Sequence, residues 1–177
     1  QAPPPAAADI PYVAAKRRQE AEAFARARDL GLDLVAVLPT ICVGPHDHGP
    51  SESNALLVNY LRDPYRTTWP GGCNVVAAAD VARGHVLAAE RGAPNERYLL
   101  GGGNLAWPDL HGLISELCGV PGPLVTANHT ASFLAGALCE FLAAVNGRRP
   151  PTKRTQARMV GRYYWYDHAR AARLGYR

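Results

Sequence analysis

The chain has 177 residues, enough for one domain with a sizeable core, and its 47% hydrophobic against 19% charged content excludes an intrinsically disordered chain. The net charge is +4, with much of the excess in Arg148, Arg149, Lys153, Arg154, Arg158 and Arg162. No nucleic-acid-binding signature accompanies these residues, so they read as a solvated basic face, and no nucleic-acid partner is expected.

Residues 1–11 read as a proline-rich linker; the run lacks the basic start and apolar centre of a signal peptide. The first residue is Gln1 rather than Met, which points to a processed or truncated chain. Tyr12 to Leu30 is rich in alanine, glutamate and arginine and reads as a helix, stopped by Gly31. Leu32 to Leu38 is short and almost wholly apolar, which suits a strand buried in a parallel sheet, and Pro39 ends it. The breaker-dense loop Val43 to Pro50 follows. Ser51 or Ser53 is placed to cap a helix running to about Arg62.

Strands are expected near Tyr65 to Trp69 and at Cys73 to Val76, on either side of a Pro70-Gly71-Gly72 turn. Asp80 stands where an N-cap belongs, before a helix from Val81 to Arg91. Arg97 to Leu100 reads as a strand. Pro108 opens a helix that ends near Cys118 at Gly119. A helix from about Ser132 to Val145, a proline-rich link and a short helix from Asp167 to Leu174 complete the chain. Strands alternate with helices, so the class is α/β.

The longest apolar stretch, Phe133 to Val145, is too short to span a bilayer and carries Glu140, so no membrane span is expected. The four cysteines, Cys42, Cys73, Cys118 and Cys139, form no C-x-x-C pair. They read as reduced residues of a cytoplasmic protein.

Tyr12-Val13-Ala14-Ala15-Lys16 is a Y-x-x-x-K pattern at the start of a helix. The i,i+4 spacing puts both side chains on one face. A tyrosine phenol ordinarily titrates near pH 10, and a neighbouring ammonium favours the phenolate. Such a tyrosine can exchange a proton with a substrate oxygen while hydride moves at the adjacent carbon. The lysine can also hold a ribose hydroxyl. Two surface residues on an amphipathic helix would give the same pattern.

The context discriminates. Leu38-Pro39-Thr40 and Val43-Gly44-Pro45 follow the helix, then Asn74-Val75-Val76, Asp80-Val81-Ala82 and Gly84-His85. Glu96 to Gly102 with Asn104 comes next, and Tyr164, Asp167, Ala169, Arg170 and Leu174-Gly175-Tyr176 close the series. In this order the set resembles the extended short-chain dehydrogenase/reductase family, also called the NAD-dependent epimerase/dehydratase family. The resemblance is to its dihydroflavonol-reductase-like, hydroxysteroid-dehydrogenase-like and hopanoid-associated epimerase-like branch. It implies the C-terminal part of a Rossmann-like doubly wound parallel sheet, with an interleaved small α/β substrate-binding lobe, over residues 12–177.

The resemblance implies an enzyme that moves hydride at a carbinol or carbonyl carbon, with NAD or NADP as cofactor. Tyr12 is then the acid/base and a contact of the cofactor, though not its main anchor, and Lys16 tunes it and binds ribose. Pro39, Thr40 and Ile41 lie against the nicotinamide, and His46 lies where the substrate pocket opens. The implied partner is a small molecule: a sugar nucleotide, a sterol-like compound, or a flavonoid or aldehyde carbonyl compound. The full-length protein can pair as a homodimer.

Three departures bear on activity. The family's glycine-rich phosphate loop and the acidic or basic residue that separates NAD from NADP are absent, and its catalytic serine or threonine lies upstream of the tyrosine, where residues 1–11 hold neither serine nor threonine. A lesser difference is Ala15, where a serine often precedes the lysine. The resemblance therefore implies only part of a site, inactive by itself. A non-catalytic NAD(P)-binding or sensor relative on the same scaffold, and a basic interaction module, remain alternatives.

Gly101 to Ala106 fits G-x-G-x-x-A after a strand, but no acidic residue stands near the position that would bind ribose. It reads instead as a flexible turn whose glycines permit positive φ. His46-Asp47-His48 lacks a third ligand, so no metal is expected.

Overall fold

The computed structural model describes residues 11–49, 51–147, 157 and 160–177. The expected linker up to residue 10, and Arg148, Arg149, Lys153, Arg154 and Arg158 of the basic run, lie outside the described residues. The elements run α1 (Pro11–Asp29), β1 (Ala36–Pro39), β2 (Ile41–Val43), α2 (Glu52–Arg62), β3 (Thr67–Thr68), β4 (Gly72–Ala77) and α3 (Ala78–Arg91). Then come β5 (Arg97–Leu100), β6 (Gly103–Ala106), α4 (Trp107–Cys118), β7 (Val125–Thr126), α5 (His129–Asn146) and α6 (Ala169–Ala172). The class is α/β.

Helix α1 ends as its sequence requires. Gly31 takes φ 64°, its N–H donates to Arg28 O at 3.2 Å, and Leu32 N donates to Ala27 O at 2.8 Å. This paired closure satisfies two carbonyls of the last turn. Ser51 caps α2, its hydroxyl accepting from Asn54 N at 3.3 Å. Asp80, expected as a cap, is instead the third residue of α3 and ion-pairs with Arg83. β4 runs into α3 with no intervening loop, which leaves Ala77 at the cap position.

The strands form three short ladders. β1 pairs with β5 in parallel, from Ala36↔Arg97 to Pro39↔Leu100. β4 stands between β2, which is parallel to it, and β6, which is antiparallel. β3 and β7 pair in parallel. The expected strand from Leu32 shortens to four residues, with Leu32 59% and Leu38 37% exposed. β5 offers partners only from Arg97, and among the described residues β1 has no second neighbour. The burial expected of a central strand is therefore absent along its open edge.

The β2–β4–β6 sheet separates two cores. On one face Val76, Val81, Leu100, Tyr98 and Tyr176 pack together, with Cys42 against them. On the other, Tyr60, Cys73, Trp107, Leu110 and Ile114 pack with Ile41 and Val75. The two-residue period of a strand divides β2 and β4 between these cores. Gly84 of α3 lies where a Cβ would stand 2.7 Å from Leu100 side-chain carbons, so only glycine lets the helix approach β5 this closely.

The second core contains a polar cluster. Tyr60 stacks on His111 with ring centroids 4.2 Å apart, and the Tyr60 hydroxyl lies 2.7 Å from Ser115 Oγ. His111 Nδ1 is 2.9 Å from Thr68 Oγ1. Burial pushes the His111 imidazole down to about 4. No described helix is long and apolar enough to cross a membrane.

Candidate active site

The first turns of α1 present Tyr12 and Lys16. Both are exposed, and the Lys16 ammonium lies 5.9 Å from the Tyr12 ring centroid. Lys16 Nζ also donates to Gln19 Oε1 at 3.3 Å. Further along α1, Glu20 ion-pairs with Arg97, the first residue of β5, and the Arg97 guanidinium covers the buried Phe24 ring at 5.2 Å. These contacts fix the C-terminal half of α1 beside the start of β5.

Pro39, Thr40 and Ile41 form the break between β1 and β2. Pro39 is exposed and Thr40 half-buried. Ile41 turns into the second core. Thr40 N donates to Leu100 O at 3.2 Å, which continues the β1–β5 ladder for one more bond before β2 turns to β4.

Asn74, in the middle of β4, occupies this division and is 1% exposed. Its Oδ1 accepts from Thr40 Oγ1 at 2.7 Å and from Gly102 N at 2.9 Å. Its Nδ2 donates to Asn104 Oδ1 at 2.7 Å and to Gly102 O at 3.2 Å. Asn104 in turn exchanges two hydrogen bonds with the Tyr166 backbone, at 3.0 and 3.1 Å. One amide thus satisfies groups that the diverging strands cannot pair.

Gly101 to Ala106 is no phosphate turn in this fold. It runs into β6 rather than directly into a helix, and none of its glycines has positive φ. The expectation of a flexible turn is also corrected. A Cβ on Gly102 would lie 2.3 Å from Val75 O, so the glycine serves close backbone approach.

An open pocket of about 300 Å³ lies beyond the carboxyl ends of β2 and β4, lined by Cys42, Gly44, Pro45, Asp47, Asn54 and Ala78 among others. In parallel α/β sheets, ligands bind at this end. Asn54 shapes the pocket: Nδ2 donates to Gly44 O at 3.1 Å and to Asp47 Oδ2 at 2.8 Å. Asp47 also accepts from Ser51 N and Ser51 Oγ, at 2.9 and 2.8 Å. The Ser51 N–H, then Asn54 and the Ser51 hydroxyl, hold its carboxyl below the usual carboxylate range. His46 stands beside this loop, exposed, with φ 63°. Among the described residues no three His, Cys, Asp or Glu side chains gather as a metal site.

Of the expected site residues, the fold brings Pro39, Thr40 and Ile41 together at one strand break and Tyr12 and Lys16 together on one helix turn. Asn54 and Asn74 were not expected. Asparagine is depleted inside strands, so Asn74 within Cys73-Asn74-Val75-Val76 was the available signal.

No family model matches the chain. A putative dihydroflavonol 4-reductase of Synechocystis is 29% identical over 164 residues, which is 90% of this chain and 48% of that protein. The chain thus spans about half the length of this relative. A nucleoside-diphosphate-sugar epimerase structure from Pseudomonas aeruginosa is 29% identical with a TM-score of 0.63, over 93% of this chain and 53% of that one. A dTDP-glucose 4,6-dehydratase of Streptomyces venezuelae, solved with NAD, has a TM-score of 0.64 at 22% identity, over 94% of this chain and 45% of that one. The last is a likeness of fold alone.

Proposed function

Because the chain belongs to the extended short-chain dehydrogenase/reductase family, we propose that it supplies the proton-transfer and nicotinamide-facing part of an NAD(P)-dependent oxidoreductase, epimerase or dehydratase. One observation carries this reading: the Tyr12–Lys16 pair stands on α1 above the anchored Glu20–Arg97 contact. From Glu20 back to Tyr12 a helix rises about 12 Å, and from Arg97 to Leu100 a strand climbs about 10 Å. That supports a pair level with the carboxyl ends of β1 and β5, near Pro39 and Thr40.

The dinucleotide, when bound, gives or takes the hydride. Tyr12 Oη donates a proton to the substrate oxygen in reduction and removes it in oxidation. Lys16 favours the phenolate and offers its ammonium to ribose hydroxyls. The donor set fits such a ligand, since the polar partner of Lys16 among the described residues is the neutral Gln19 amide rather than a carboxylate. The described residues fit only the ribose–nicotinamide end, because in the glycine-rich run after β5 Gly102 is packed against Val75 and the run leads into β6 rather than a helix. The substrate, a small carbonyl or carbinol compound such as a sugar nucleotide or a dihydroflavonol, enters the pocket beside Asp47.

The test is turnover of the full-length protein with NADH or NADPH against UDP- and dTDP-sugars, a dihydroflavonol and a simple aldehyde. Tyr12→Phe lowers the turnover found by about a hundredfold or more. Unchanged turnover in Tyr12→Phe contradicts the acid/base role.

A further inference from the structure

We propose that Asn74 is a positioning residue: its amide holds Thr40, and with it the Pro39–Ile41 segment, where that segment meets the nicotinamide ring. The inference rests on the cofactor reading above, but its own support is geometric. β1 and β2 are separated by Thr40 alone, and β5 and β6 by Gly101 and Gly102 alone. Both corners form where the β1–β5 ladder gives way to the β2–β4–β6 sheet. Such a corner leaves backbone and hydroxyl groups without ladder partners, and each needs a fixed partner to keep one conformation.

Asn74 supplies partners to both corners at once. Oδ1 takes the Thr40 hydroxyl at 2.7 Å and Gly102 N at 2.9 Å, while Nδ2 gives to Gly102 O at 3.2 Å. The amide cannot rotate, because exchanging O and N would set its NH2 against the Gly102 N–H and its oxygen against Gly102 O. Asn104, at 2.7 Å from Nδ2 and bonded to the Tyr166 backbone, braces it from the far side. The Thr40 position is therefore set by a side chain that is 1% exposed and lies 34 residues away in sequence. A displacement of about 1 Å in such a supporting shell is enough to misplace a reacting group.

The test uses the full-length protein as wild type, Asn74→Ala, Asn74→Asp and Thr40→Val. Each is titrated with NADH and NADPH, and separately with ADP-ribose, which lacks the nicotinamide ring. The readouts are affinity and the nicotinamide fluorescence of the saturated complex. In wild type the bound emission differs from that of the free dinucleotide. In Asn74→Ala and Thr40→Val that difference shrinks by about half or more, while ADP-ribose affinity stays within about threefold. Asn74→Asp keeps an oxygen for Thr40 and for Gly102 N but sets its second oxygen against Gly102 O and Asn104 Oδ1, so its emission also departs from wild type. Should Asn74→Ala fail to fold, Thr40→Val carries the comparison.

Wild-type emission in Asn74→Ala or Thr40→Val overturns the inference. So does an equal loss of NADH and ADP-ribose binding, which marks a merely structural role. So does a wild-type complex that emits like free dinucleotide, since its ring is then not held. A wild-type protein that binds neither dinucleotide removes the cofactor reading itself, and this inference falls with it.

Discussion

Thr40 donates its hydroxyl hydrogen to Asn74 Oδ1 at 2.7 Å, across the point where the sheet divides. The bond lies at the centre of a network in which Gly102 and Asn104 depend on the same amide. Asn74→Leu fills much of the volume but leaves the half-buried Thr40 hydroxyl and Gly102 N–H without their partner, and unfolding stability falls by about 2–4 kcal/mol. Thr40→Val removes one donor and costs about 1 kcal/mol. Urea midpoints of the full-length variants check both values.

Gly102→Ala places a Cβ 2.3 Å from Val75 O, a backbone atom of β4. Neither side can yield without disturbing the β4–β6 ladder, so stability falls by about 2–4 kcal/mol. Gly103→Ala meets nothing within 4 Å and serves as the control, with a change below about 1 kcal/mol. Thermal melting of the two variants separates the outcomes.

The α/β alternation, the Gly31 and Gly119 stops, the Ser51 cap and the bounds of β5 were legible in the sequence, because each rests on local chemistry. The helix carrying Tyr12 and Lys16 was legible for the same reason. β6 was not, since Gly101-Gly102-Gly103 signals a turn by composition, and only the approach of Val75 O explains Gly102. The exposure of Leu32 and Leu38 was also hidden, because a strand's burial depends on which neighbours flank it. Asn74 and Asn54 act through contacts 28 to 34 and 10 residues away respectively, which no local pattern encodes.

His111 gives the fold a pH dependence. Its folded-state value of about 4 lies below the ordinary histidine value near 6.5, so the unfolded chain binds the proton more tightly. Its contribution to stability is intact above about pH 6.5 and is lost as pH falls toward 4, at up to about 1.4 kcal/mol per unit. Protonation would bury a charge beside Nε2, which has no hydrogen-bond partner among the described residues. Urea midpoints between pH 7 and pH 5 should fall in wild type and fall less steeply in His111→Gln.

Residues 1–177 by themselves should bind NADH and NADPH weakly. Among the described residues no glycine-rich turn leads from a strand directly into a helix N-terminus, the usual pyrophosphate site. Calorimetry on the isolated chain tests this. Micromolar affinity would show that a phosphate site exists within it.

The central claim is that Tyr12 and Lys16 have different jobs at one cofactor. The most direct measurement is calorimetric titration of NAD+ and NADP+ into the full-length protein as wild type, Lys16→Ala and Tyr12→Phe. The account predicts micromolar binding of one dinucleotide to wild type. Lys16→Ala weakens it about tenfold through the lost charge-assisted bonds to ribose, and Tyr12→Phe changes it by less than about threefold. Equal affinities in all three proteins, or no binding to any, would contradict the account and leave the pair as two exposed residues on a helix.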